Sequence, residues 1–101
     1  MQILNTISDC TNWSKKHHQS LGFIPTMGAL HKGHLSLIQK SKETCKQTIV
    51  SIYINPAQFS ENEDLSSYPK TVSADLEKLE RLNVDAVFLP KDKEMYPVKN
   101  I

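Results

Sequence analysis

Gly22-Phe-Ile-Pro-Thr-Met-Gly-Ala-Leu-His-Lys-Gly-His34 joins an apolar strand, which stops at Pro25, to the first turn of a helix. The joining loop holds two of the chain's three glycines. Glycine lets a backbone approach a ligand closely, and a helix N-terminus offers N–H groups with no partner inside the helix, so such a junction suits a phosphate. It is not the Gly-x-Gly-x-x-Gly dinucleotide fingerprint, because Gly28 and Gly33 stand five apart, nor a Walker A loop, which ends in Gly-Lys-Ser/Thr. Its distinguishing feature is His31-x-Gly33-His34, two imidazoles that reach one phosphate group from the first helical turn.

Outward from this junction the chain alternates strands and helices. Towards the C-terminus, helical spacing begins near Gly33 and runs to about Lys46, with His34, Ile38, Ser41 and Cys45 along one face and Leu37 beside them. Thr48-Ile-Val-Ser-Ile-Tyr-Ile54 is nearly all apolar and rich in β-branched residues, as a strand covered on both faces requires. Asn55-Pro56 ends it, and a polar stretch follows. Val72, Leu76, Leu79 and Leu82 mark a helix from about Thr71 to Leu82, and Ala86-Val-Phe-Leu89 is a further short strand closed by Pro90. Towards the N-terminus, Met1 to Leu4 reads as a short strand. Residues 8–19 read as a helix capped by Thr6 or Ser8, with Cys10, Trp13 and His17 on one face.

The order β-α-β-α-β, with an additional element in front, specifies an α/β fold: a Rossmann-like parallel sheet in three layers, with right-handed crossovers. Ligands bind such sheets beyond the carboxyl ends of the strands. Residues 25–34, 55–59 and 90–97 follow strand ends and are expected to share one edge.

Composition bounds the alternatives. The chain has 101 residues, 39% hydrophobic and 23% charged, enough for one domain or part of one. No apolar run approaches the roughly 20 residues of a membrane span, and Met-Gln-Ile-Leu-Asn lacks the features of a signal peptide, so no membrane association and a cytoplasmic location are expected. The net charge of +1 gives no general attraction to nucleic acid. Six lysines face only Asp9 and Glu43 in residues 1–50, whereas nine carboxylates gather in residues 51–101. Solvated helix faces account for this; a basic half turned towards an anionic ligand is the alternative. Cys10 and Cys45 are far apart in sequence and read as two thiols, not a redox or zinc motif.

Two histidines three apart are commonly an exposed turn. The adjacent pair His17-His18, on a helix without glycines, is read that way. For His31 and His34, the strand-to-helix setting favours a ligand. A histidine pair supplies too few ligands for zinc, and no nearby carboxylate completes a facial triad, so no metal ligand is assigned. Where an α-phosphoryl group is attacked and pyrophosphate leaves, charge grows on the phosphate oxygens, and each fixed donor aimed at it is worth roughly 10²–10³ in rate. Catalysis there is mainly positioning and charge stabilisation, without a covalent nucleophile. A helix N-terminus disfavours an imidazolium and a bound triphosphate favours it, so both charge states stay open.

Pro-Thr-Met-Gly-Ala-Leu-His-Lys-Gly-His (25–34) resembles the signature of the pantothenate synthetase (pantoate–β-alanine ligase) family, nucleotidylyltransferases with a His-x-Gly-His motif. Val50 to Phe59 is similar to that family's second strand and Asn-Pro-x-Gln-Phe loop. Glu63-Asp64-Leu65, Tyr68-Pro69-Lys70-Thr71 and Glu94-Met95-Tyr96-Pro97 resemble later segments. The resemblance implies ATP-dependent condensation of pantoate with β-alanine through a pantoyl adenylate, releasing pyrophosphate and then AMP. It implies an ATP site of Met27, Gly28, Ala29, Leu30, His31, Lys32, Gly33 and His34, with His34 catalytic and His31 beside it on phosphate. It further implies that Gln58 holds pantoate and the attacking β-alanine, while Pro25, Thr26, Met27 and Asn55 complete the acid pocket. Gln58, as a neutral amide, can donate and accept; by spacing alone it is a surface glutamine on a turn. ATP enters as substrate with Mg2+ held mainly by its phosphates, and the full-length protein is expected to be a homodimer.

The family's chains are longer. Residues 1–101 correspond to the N-terminal part of its nucleotide-binding domain, with further strands, a phosphate-binding lysine loop and the C-terminal domain missing. Little or no ligase activity is therefore expected of this chain alone. The alternatives are another adenylyltransferase of the superfamily, such as one acting on phosphopantetheine or nicotinate mononucleotide, and a non-catalytic ligand-binding fragment.

Overall fold

A computed structural model describes residues 1–17, 19–53 and 68–91, with the backbone alone for 68–70. Its elements are β1 (Gln2–Leu4), α1 (Ile7–Lys16), β2 (Leu21–Thr26), α2 (Lys32–Thr44), β3 (Gln47–Ile52), α3 (Tyr68–Arg81) and β4 (Ala86–Phe88). The four strands form one parallel sheet in the order β1-β4-β3-β2. The strand-helix alternation read from the sequence is therefore present. The N-terminal strand, whose partner the alternation leaves open, pairs with the last one, Leu4 opposite Phe88.

Alternation of side chains across the pleat builds two cores. On one face Ile24, Val50, Ile52 and Val87 meet Ile38 of α2 and Leu79 of α3, with Leu35, Leu76 and Leu82 packed against them. On the other, Ile49, Ala86, Leu4 and Phe88 meet Trp13 of α1, with Cys10 and Leu21 alongside. Helices thus cover both faces, the three-layer arrangement expected. β3 is buried along nearly its whole length, which accounts for its Ile and Val on both faces, with Thr48 and Ser51 the buried polar residues between them. On the same face as Trp13, Phe23 of β2 stays about half exposed (54%).

Several local readings shift. β2 runs through Pro25 to Thr26 instead of stopping at Pro25. Among the described residues it is an edge strand paired only with β3, and a residue without an N–H is tolerated on the open side of such a strand. α1 ends at Lys16, three residues early, with Thr6 as the N-cap accepting from the Asp9 N–H at 3.0 Å. α3 starts at Tyr68, so Pro69 falls in the first turn, where its missing N–H costs nothing. On α2, Leu37 is 58% exposed and Leu35 packs on the core in its place. His17 stacks on Trp13 with ring centroids 4.4 Å apart, a packing role.

The register aligns the carboxyl ends of the strands: Thr26 lies opposite Ile52, and Ser51 opposite Phe88. The loop after β2 leaves from this edge. The loops at 55–59 and 92–97, expected to share it, lie outside the described residues.

Candidate functional site

Thr26, the last residue of β2, is buried and begins the site. Its hydroxyl donates to the Ser51 carbonyl of β3 at 3.0 Å and accepts the Gly28 N–H at 3.1 Å, turning the chain sharply off the sheet. Gly28 and Ala29 then take left-handed backbone, with φ of 88° and 52°. That conformation is natural for Gly28 and costs Ala29 about 1 kcal/mol. A carboxylate from 46 residues further on holds it there. Asp75 of α3, 1% exposed, accepts the Ala29 N–H at 2.8 Å through Oδ2 and the Leu30 N–H at 2.9 Å through Oδ1. Lys78, one turn further along α3, donates to the Leu30 carbonyl at 3.1 Å.

α2 starts immediately after. The helix starts at Lys32, one residue before the start near Gly33 that the sequence suggested; His31 is its N-cap, and the cap is reciprocal. Nδ1 of His31 accepts the Gly33 N–H at 3.1 Å, while Nδ1 of His34 accepts the His31 N–H at 3.2 Å. This is a capping box in which two imidazoles replace the usual hydroxyl and carboxylate. The rings lie 4.0 Å apart, tilted by 36°. An Nδ1 that accepts an N–H must carry a lone pair, so each neutral ring bears its proton on Nε2. The cap therefore makes each ring a donor through Nε2, and protonating either ring at Nδ1 breaks a capping bond. The pKa of His34 is lowered from its ordinary value, first by burial and then by neighbouring His31, with Asp75 pulling the other way. Both geometry and burial favour the uncharged form.

Gly33 is explained by the same geometry. A Cβ there would stand 2.9 Å from Cε1 and 3.2 Å from Nδ1 of His31. The middle of His-x-Gly-His is thus empty because the first imidazole fills the space.

Of the residues expected at the ATP site, Gly28, Ala29, His31, Gly33 and His34 come together in this loop and first turn. Lys32 is the exposed first residue of α2, and Met27 is 47% exposed. Leu30 differs, since its side chain is 4% exposed and belongs to the α2–α3 core, leaving only its backbone to the site. Pro25 and Thr26 lie at the carboxyl end of β2 beside it. Asn55 and Gln58 are outside the described residues. Asp75 and Lys78 were not anticipated, although one signal was readable: Asp75 interrupts the apolar face formed by Val72, Leu76 and Leu79.

Among the described residues no helix is long and apolar enough to cross a membrane. Cys10 and Cys45 are free and half-buried, with burial raising the Cys10 pKa.

Comparison with known proteins covers the same ground. A family model for pantoate-beta-alanine ligase matches residues 2–101. Pantothenate synthetase from Helicobacter acinonychis is 53% identical over 100 residues, 99% of this chain and 36% of that protein. The Acidobacterium capsulatum pantothenate synthetase is 58% identical over 79 residues, 78% of this chain and 26% of its own length. The fold superposes on a crystal structure of pantoate-beta-alanine ligase from Francisella tularensis complexed with beta-gamma ATP and beta-alanine. That match has a TM-score of 0.86 and 41% identity, covering 100% of this chain and 40% of the other. A pantothenate synthetase structure from Thermus thermophilus gives a TM-score of 0.80 at 32% identity, covering 100% of this chain and 36% of that one. The chain spans about a third of the length of the curated relatives it matches.

Proposed function

The chain belongs to the pantoate–beta-alanine ligase family, and from that premise we propose that it supplies the part of such a ligase that takes the phosphates of ATP. The observation that carries this reading is the reciprocal cap. Two imidazoles with Nε2–H edges stand at the N-terminus of α2, beyond the carboxyl end of β2.

In the reaction proposed, a pantoate carboxylate oxygen attacks the α-phosphorus of ATP. The bond to the β-phosphate bridging oxygen breaks, and pyrophosphate leaves with the electron pair. The amine of β-alanine then attacks the acyl carbon of the adenylate, the carbon–oxygen bond breaks, AMP departs, and the amine loses a proton. His34 and His31 would donate from Nε2 to the oxygens on which charge grows, in a site whose geometry is set before the substrate arrives. Pro25, Thr26 and Met27, with Gln58 and Asn55, would hold the acid and the amine. Mg2+ would travel with the phosphates, and no residue of this chain is assigned to it. The 101 residues alone would turn over little or nothing, because they span 36% of the Helicobacter acinonychis protein and the family resemblance implies further triphosphate contacts outside that share. Cytoplasmic function accords with this substrate set.

A chimera tests the reading directly, with residues 1–101 replacing the matched segment of the Helicobacter acinonychis protein. It is expected to form pantothenate from ATP, pantoate and β-alanine, and His34→Ala in it should lower kcat by roughly 10²–10³. Turnover of phosphopantetheine in place of pantoate, or an unimpaired His34→Ala chimera, would overturn the assignment.

A further inference from the structure

We propose that Asp75 is a positioning residue of the His31/His34 site: from α3 its carboxylate holds the Gly28–Leu30 loop in the course that starts α2 at His31, and so aims both imidazoles. The inference rests on the phosphate-site reading above and extends it to a helix from which no site residue was expected.

Three observations carry it. Asp75 is a carboxylate placed in a core at 1% exposure, a costly location unless its oxygens are satisfied, and each oxygen takes one of two successive loop N–H groups at 2.8 and 2.9 Å. Those two amides follow the left-handed turn at Gly28 and Ala29, a course that Ala29 would not keep unaided. Lys78 ties down the carbonyl of Leu30, so α3 fixes donor and acceptor of the residue directly before the cap. His31 is next in the chain, and its N–H is what His34 accepts. Releasing the loop would therefore move the donor on which the second imidazole depends. The titratable groups that bear on His34 are His31 from its own cap and Asp75 from α3, acting in opposite directions.

Asp75→Asn keeps the size, removes the charge, and replaces one acceptor by an N–H donor, so one loop amide loses its partner. The ring signals of His31 and His34 are followed by 1H–15N NMR through a pH titration of the 101-residue chain, together with ATP affinity. Asp75→Asn should move the His34 midpoint to lower pH, because the carboxylate that favours the imidazolium is gone, and weaken ATP binding roughly tenfold. Because the lost charge alone would move that midpoint, positioning is read from the ring tautomers: a released cap loses the Nε2–H pattern of His31 and His34, and a merely structural role would leave it in place. A folded Asp75→Asn chain that keeps both Nε2–H tautomers and its ATP affinity overturns the proposal. Should the variant not fold, hydrogen exchange in the unaltered chain decides: slow exchange of the Ala29 and Leu30 amides supports the clamp, and unprotected exchange overturns it. If the unaltered chain takes no ATP while Asp75→Asn still changes the His31 and His34 tautomers, the phosphate-site reading falls and the positioning role of Asp75 stands.

Discussion

At Gly33, two effects of similar size oppose each other, which makes the position informative. Alanine is the better helix former by about 0.8–1.0 kcal/mol. Its Cβ would displace the His31 ring, 2.9 Å from where that atom would sit, and with it a capping bond worth roughly 0.5–2 kcal/mol. Gly33→Ala is therefore expected to stay within about 1 kcal/mol of the parent in stability. The His31 ring resonances should nevertheless shift as the bond to the Gly33 N–H is lost. Unchanged His31 resonances in that variant would show that the ring does not occupy the space above Gly33. That His31, Gly33 and His34 meet at one strand-to-helix junction was legible in the sequence, from their spacing just beyond the apolar strand. Their mutual capping was not. Helix-start rules look for Ser, Thr, Asp or Asn, and none stands at position 31.

Among the elements, the approach of α2 to β2 is set by what is absent from Gly22. A Cβ there would overlap the Ser41 hydroxyl oxygen and stand 2.9 Å from Ser41 Cβ. That hydroxyl is committed to a 2.7 Å hydrogen bond with Thr48 Oγ1 of β3 and has little freedom to retreat. Replacing glycine in a strand interior gains roughly 0.5–1 kcal/mol, whereas overpacking costs about 1–3 kcal/mol, so the loss prevails. Gly22→Ala should lower Tm by several degrees in thermal unfolding followed by circular dichroism, at about 4–8 °C per kcal/mol for a domain of this size. An unchanged or higher Tm would mean that the helix sits further from the strand. Element types were legible throughout because each helix carries an apolar stripe and β3 is apolar on both faces. Element ends were less so. The Leu35/Leu37 choice on α2 turns on which side of the helix faces the sheet, and sequence spacing allows both.

For the molecule as a whole, a parallel sheet with strand ends aligned puts the β2–α2 junction at a predictable edge, and β-α-β alternation was sufficient to foresee that. What alternation does not encode is which strand lies beside which. β1 joins β4 across the fold, and α3 reaches back to the loop after β2. Asp75 belongs to this class: it acts 45 residues from the Leu30 amide it holds, and only the packing of α3 beside α2 brings them together. Whether His31 and His34 form one preset pair of Nε2–H donors for the phosphates of ATP is read out by long-range 1H–15N spectra of the histidine rings in the 101-residue chain, recorded during titration with ATP. Nε2–H tautomers are expected for both rings before any ligand is added. Saturable shifts of His31 and His34 should follow with ATP, while His17, stacked on Trp13, stays in place. Nδ1–H tautomers, or rings of His31 and His34 that remain unmoved as ATP is added, would contradict the paired-donor site.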